Sequence, residues 1–230
     1  METIRTFLTT HEETRLLAGF LTWILIGWWM WLRGWKIQRR YLIEAGLTPL
    51  PKGNVWWSVV IIGAIFVISS QQRPASPAVV SVAMLGVLSA YVDWRTHRLP
   101  DSYTRMMGCG VAVGVILASL MSDTPLWILT KSIVGALIWL IPLWILSRLP
   151  GGVGQGDVKL APVLGAMLGV LGIEAPVSGL IVSIVAAGLA ALWNLVARSA
   201  ATDSRMALGP WLIGGAVISH LLWGVLPDWI

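Results

Sequence analysis

Eleven acidic residues stand in this chain of 230, and three of them sit where a carboxyl group could do chemistry. Asp93 closes an apolar run in SAYVDWRTHRLPDSYTR, and Asp101 follows in the same stretch. Asp157 opens another apolar run in LPGGVGQGDVKL. Two carboxyl groups held close together cannot both ionise cheaply, so such a pair shares one proton. The ionised member takes a proton from water. The protonated member hydrogen-bonds a carbonyl and stabilises the tetrahedral intermediate. That is hydrolysis with no metal and no nucleophilic side chain. Each aspartate also has a plainer reading. Asp157 could cap its helix, Asp93 could pair with Arg95, His97 or Arg98, and Asp101, after Pro100, could end a turn. The remaining acids, Glu44 among them, read as solvated loop charges.

Other chemistries lack their residues. HEETR at 11–15 has no second histidine for a zinc site, and no Gly-x-Ser-x-Gly is present. His11, His97 and His220 are scattered singly. The single cysteine, Cys109, excludes an intrachain disulfide and a cysteine zinc site. The glycines before Asp157 have no Lys-Ser/Thr after them and no strand before them, which argues against phosphate binding. No metal and no cofactor is expected.

The elements that must position these aspartates are membrane helices. The chain is 57% hydrophobic and only 12% charged, with a mean hydropathy of +0.78. Its apolar runs do not alternate, which excludes a β-barrel. Eight spans are predicted, at residues 16–32, 55–70, 77–92, 106–121, 126–146, 158–171, 177–197 and 207–226. The fold class is therefore all-α, a polytopic membrane bundle. Residues 1–15 are polar and mixed in charge, so no cleavable signal peptide is predicted. Residues 33–54 read as a long basic loop. Residues 1–54 (tail, first span and this loop) precede a membrane-embedded region, 55–230.

Charge sets the orientation. With the N-terminus outside, the inner loops hold Arg33, Lys36, Arg39, Arg40, Lys52, Arg95, Arg98, Arg105, Arg148, Lys159, Arg198 and Arg205. The outer side holds only Arg5, Arg15, Arg73 and Lys131. This is a positive-inside bias, and it explains the net charge of +5 without nucleic acid. Both termini are placed outside, and Asp93 and Asp157 fall at the same inner membrane edge. An ionisable residue at membrane depth is costly and points to function. The fifteen tryptophans are expected to form an interfacial belt.

Three motifs now stand in order. GQGD at 154–157 fits the GxGD pattern of intramembrane aspartic proteases. DWRTHRLPD at 93–101 resembles the other aspartate motif of the type IV prepilin peptidases. MALGPWLIGG at 206–215 is similar to the Gly-Pro segment that begins that family's last helix. The resemblance covers about 77–226 and implies a six-helix GxGD protease core. It implies Asp93 and Asp157 as the catalytic pair, with Gly154, Gly156, Lys159, Pro100, Asp101, Gly209 and Pro210 in supporting positions. The implied substrate is a type IV prepilin or pilin-like protein. Its leader is cut at the cytoplasmic face of a bacterial inner membrane, and lipids are the other partner. Oligomeric state is not implied. The glycines of 151–156 would let an extended substrate backbone lie beside Asp157.

The chain departs from the family's long form in one place. Residues 33–54 carry no CxxC pairs, so the zinc-binding insert that accompanies N-methylation is missing, which argues against methylation of the product. Two rivals predict different behaviour. A proton- or cation-translocating protein would place its carboxylates near the midplane, and a scaffold of a pilus or secretion machine would use them only as caps.

Overall fold

The computed structural model describes residues 2–70, 73, 75–150, 152–198 and 207–223. Its helices are α1 (Glu2–Trp29), α2 (Trp35–Glu44), α3 (Lys52–Ser69), α4 (Ser76–Thr96), α5 (Asp101–Leu120), α6 (Pro125–Leu146), α7 (Gln155–Gly169), α8 (Glu174–Arg198) and α9 (Gly209–Leu222). A π-helical turn, Met30–Gly34, joins α1 to α2. No strand occurs among the described residues, and the all-α expectation holds.

Among the described residues six helical segments are long and apolar enough to cross a membrane: Glu13–Glu44, Lys52–Ser69, Ser76–Thr96, Asp101–Leu120, Pro125–Leu146 and Glu174–Val196. The protein is a multi-pass membrane protein. The other two predicted spans are α7 and α9, of 15 and 14 residues. At 1.5 Å per residue each is roughly 22 Å long or less, short of the ~30 Å hydrocarbon core. Both begin at glycine-containing segments, level with the end of α4, and so start inside the protein.

Burial identifies the centre of the bundle. In α4, 83% of the span is buried, against 22% in α1, α3 and α6. Around it pack α1, α3, α5 and α9, while α7 fits among α5, α6 and α9. The outward faces carry exposed apolar side chains such as Leu25, Leu126 and Trp193, as lipid contact requires. Between α6 and α7 the backbones nearly touch. A Cβ on Gly135 would land on the carbonyl oxygen of Gly165, and one on Gly169 would land on that of Lys131. Small residues spaced by four are the usual device for such close helix contact in lipid.

Two expectations need revision. The segment 33–54 is not a loop through its length, because it is helical as far as Glu44. Gln38 and Leu42, four residues apart on one face, are fully buried, so tertiary packing holds α2 in place. Gln38 Nε2 donates to Leu50 O at 3.2 Å. The fully buried Tyr103 donates its hydroxyl to Gly34 O, at the end of the π turn, at 2.9 Å. The polar segment 1–15 is likewise helical from Glu2. The tryptophans are more than a belt. Trp23 and Trp56 donate to Val60 O and Gly27 O, stapling α1 to α3. The buried Trp139 donates to Pro176 O at 2.8 Å.

Candidate active site

The site grows from three helix ends. The first is the C-terminus of α4, where Asp93 lies one turn from the end and is 4% exposed. The helix stops because His97 turns left-handed (φ 51°, ψ 35°), its N–H bonding to Asp93 O at 2.8 Å. A non-glycine residue in that region is uncommon and marks a constrained turn. Leu99 and Pro100 follow. Proline disfavours helix at the residue before it, and Pro100 is itself the N-cap of α5. The chain therefore breaks for four residues, His97 to Pro100, and restarts at Asp101.

The second end is the start of α7. Gly154, extended at φ −65° and ψ 148°, is the N-cap, and no side chain caps this helix. Asp157 lies inside the first turn and is 7% exposed, so it is not the cap. Its Oδ1 is buried with no hydrogen-bond partner among the described residues. Burying a polar oxygen that way is costly.

The third end is the start of α9. Pro210 has no N–H to offer. The N–H of Gly209, just before it, donates to Asp93 Oδ2 at 3.0 Å, across 116 residues of sequence. Among the described residues Asp93 forms no salt bridge. Arg95 instead reaches Tyr91 Oη at 3.4 Å, and Arg98 stands 4.0 Å from Glu44 Oε2.

Asp93 and Asp157 line one cavity of about 430 Å³. Leu99 wedges between the two glycine motifs. A Cβ on Gly156 would stand 2.8 Å from Leu99 Cβ, and one on Gly209 would stand 2.9 Å from Leu99 Cδ1 and 2.7 Å from Asp93 Oδ2. Only glycine permits these approaches. Lys159 Nζ donates to Asp101 Oδ2 at 2.8 Å, tying α7 to α5 at the rim. Both side chains are about half exposed, so this pair contributes at most about 1 kcal/mol. Of the supporting residues, Asp101, Gly154 and Gly156 line the cavity, Gly209 contacts Asp93, and Pro100 and Pro210 shape the helix starts.

The opposite wall comes from α2, through Arg40, Tyr41 and Glu44. Arg40 Nε donates to Glu44 Oε1 at 2.7 Å. Sequence reading missed this wall, because a lone acid in a basic segment carries no signal that it folds back on the aspartates. It also missed Leu99, whose apolar type looks like any core residue. Gly151, Asp203, Arg205, Met206 and Asp228 lie outside the described residues. Among the described residues no three His, Cys, Asp or Glu side chains cluster as metal ligands.

An all-helical membrane bundle with two buried carboxyl groups on a cavity at its helix ends defines a class: polytopic membrane proteins with an embedded acidic site. The profile of the type IV leader peptidase family matches residues 79–194, which include both aspartates and stop short of Gly209. The chain belongs to the type IV leader peptidase family, and it is a peptidase of that general kind. Comparison with curated proteins and with solved structures gives no match.

Proposed function

We propose that this protein is an intramembrane aspartic endopeptidase that removes the leader of type IV prepilins or pilin-like proteins at the cytoplasmic face. One observation carries the reading: Asp93 and Asp157, from separate motifs, share one cavity and are both buried. They lie at the end of α4 and the start of α7, not mid-helix. An edge position suits a bond just outside the substrate's apolar helix. It suits a transmembrane proton or cation path poorly, since that path needs carboxylates near the midplane. The positive-inside bias supports the cytoplasmic side.

The chemistry follows from the pair. One carboxylate removes a proton from water as the water oxygen attacks the scissile carbonyl. The partner carboxyl hydrogen-bonds the carbonyl oxygen. Gly154, extended and without a side chain, lines the cavity beside Asp157, so that an extended substrate backbone can lie against it, while Gly156 gives its space to Leu99.

The test is co-expression with a prepilin, followed by detection of the shortened pilin. Asp93→Asn and Asp157→Asn should each lower cleavage by at least about 100-fold, the lower bound of general acid–base contributions, while the protein stays in the membrane. Normal processing by either variant refutes the pair. Under the translocator or scaffold readings both variants process normally.

A further inference from the structure

The two carboxyl groups have different surroundings. Asp93 Oδ2 accepts the Gly209 N–H at 3.0 Å, at the first residue of a 14-residue helix. The approach depends on the missing side chain, because a Cβ on Gly209 would stand 2.7 Å from that same oxygen. Asp157 Oδ1 is buried and has no donor among the described residues. A negative charge on that oxygen would go unsolvated. A hydroxyl there keeps its hydrogen to offer when a substrate carbonyl arrives.

Resting on the peptidase reading above, we propose a fixed division of labour: Asp93, held by Gly209, is the general base, and Asp157 is the general acid. Gly209 is a positioning residue. Asp93 takes a proton from water as the water oxygen bonds to the carbonyl carbon, and Asp157 gives its proton to the carbonyl oxygen. The resulting gem-diol collapses as its C–N bond breaks. The proton on Asp93 passes to the departing nitrogen, and one diol hydroxyl returns its proton to Asp157. Both residues end as they began, and the products are a carboxylic acid and an amine.

The experiment compares the full-length purified protein with its Asp93→Asn and Asp157→Asn variants on a prepilin substrate. Traces of product are followed by mass spectrometry over long incubation. An amide at 157 still presents an N–H to the carbonyl oxygen, whereas an amide at 93 cannot accept a proton from water. The Asp157→Asn residual rate should therefore exceed that of Asp93→Asn on the order of tenfold, within the range that acid–base groups contribute. Equal residual rates, or the reverse order, overturn the assignment. Gly209→Ala should lower kcat and leave KM within about twofold, the pattern of a contact that matters only in the transition state. An unchanged kcat overturns the positioning role. The Asn variants are isosteric, and their order decides the matter even where Gly209→Ala misfolds. A wild-type protein that leaves prepilin uncut sinks the peptidase reading itself, a result distinct from a wild type that cuts with the wrong order of variants.

Discussion

Replacing Gly156 by alanine separates two roles for the glycine beside Asp157, conformational freedom and space. Gly156 is the second residue of α7 and is helical, so alanine fits its backbone and by propensity alone gains about 1 kcal/mol. Space opposes this. The new Cβ would stand 2.8 Å from Leu99 Cβ and 3.7 Å from Leu99 Cδ1. Leu99 Cβ is attached directly to backbone and precedes Pro100, so it cannot swing aside as a side-chain tip would. Overpacking of this kind costs about 1–3 kcal/mol, leaving a net loss of roughly 0–2 kcal/mol, and the protein stays folded. Catalysis suffers more. Carbon atoms rest about 3.5–4.0 Å apart, so the first turn of α7 must retreat by close to 1 Å, and Asp157 goes with it. A displacement of ~1 Å costs on the order of 100-fold in rate. The assay is kcat for prepilin cleavage beside a thermal melt in detergent. Gly214→Ala is the control, since nothing lies within 4 Å of its added Cβ. It should keep kcat and match or exceed the wild-type melting temperature. A Gly156→Ala protein with wild-type kcat would refute the argument that Leu99 sets the position of Asp157.

Three further outcomes are expected. Tyr103→Phe removes the hydroxyl's bond to the Gly34 carbonyl and should cost about 0.5–1.5 kcal/mol, measured by thermal unfolding. Lys159→Met removes a half-exposed ion pair worth at most about 1 kcal/mol. It should lower cleavage less than tenfold, and added salt should reduce the difference from wild type. The cleaved pilin should carry a free, unmethylated N-terminal amine. A gain of one methyl group by mass would show that this short form methylates without the cysteine-bearing insert.

Much of the fold was legible in the chain itself. Hydropathy is a local property, so the apolar runs marked eight of the nine α-helices found among the described residues. The two aspartates stood out because a carboxyl group at the edge of such a run is costly. The motifs around them carried the family resemblance without any knowledge of distance. The second helix escaped that reading. Residues 35–44 are too polar to resemble a span, and only the burial of Gln38 and Leu42 against the bundle keeps them helical over the cavity. Glu44 and Arg40 thereby stand on its wall while their side chains stay exposed.

What the amino-acid order alone determined is which segments are apolar enough to be read as spans, which loops between them hold the cations and where the acids interrupt apolar sequence. Each of these depends on neighbours a few residues apart. Only the tertiary structure decided that Gly209 meets Asp93 across 116 residues, that Leu99 sits between the two glycine motifs, and that one carboxyl group has a donor while an oxygen of the other has none. Those facts are distances between helices, set by how closely small residues let backbones approach, and no local pattern encodes them.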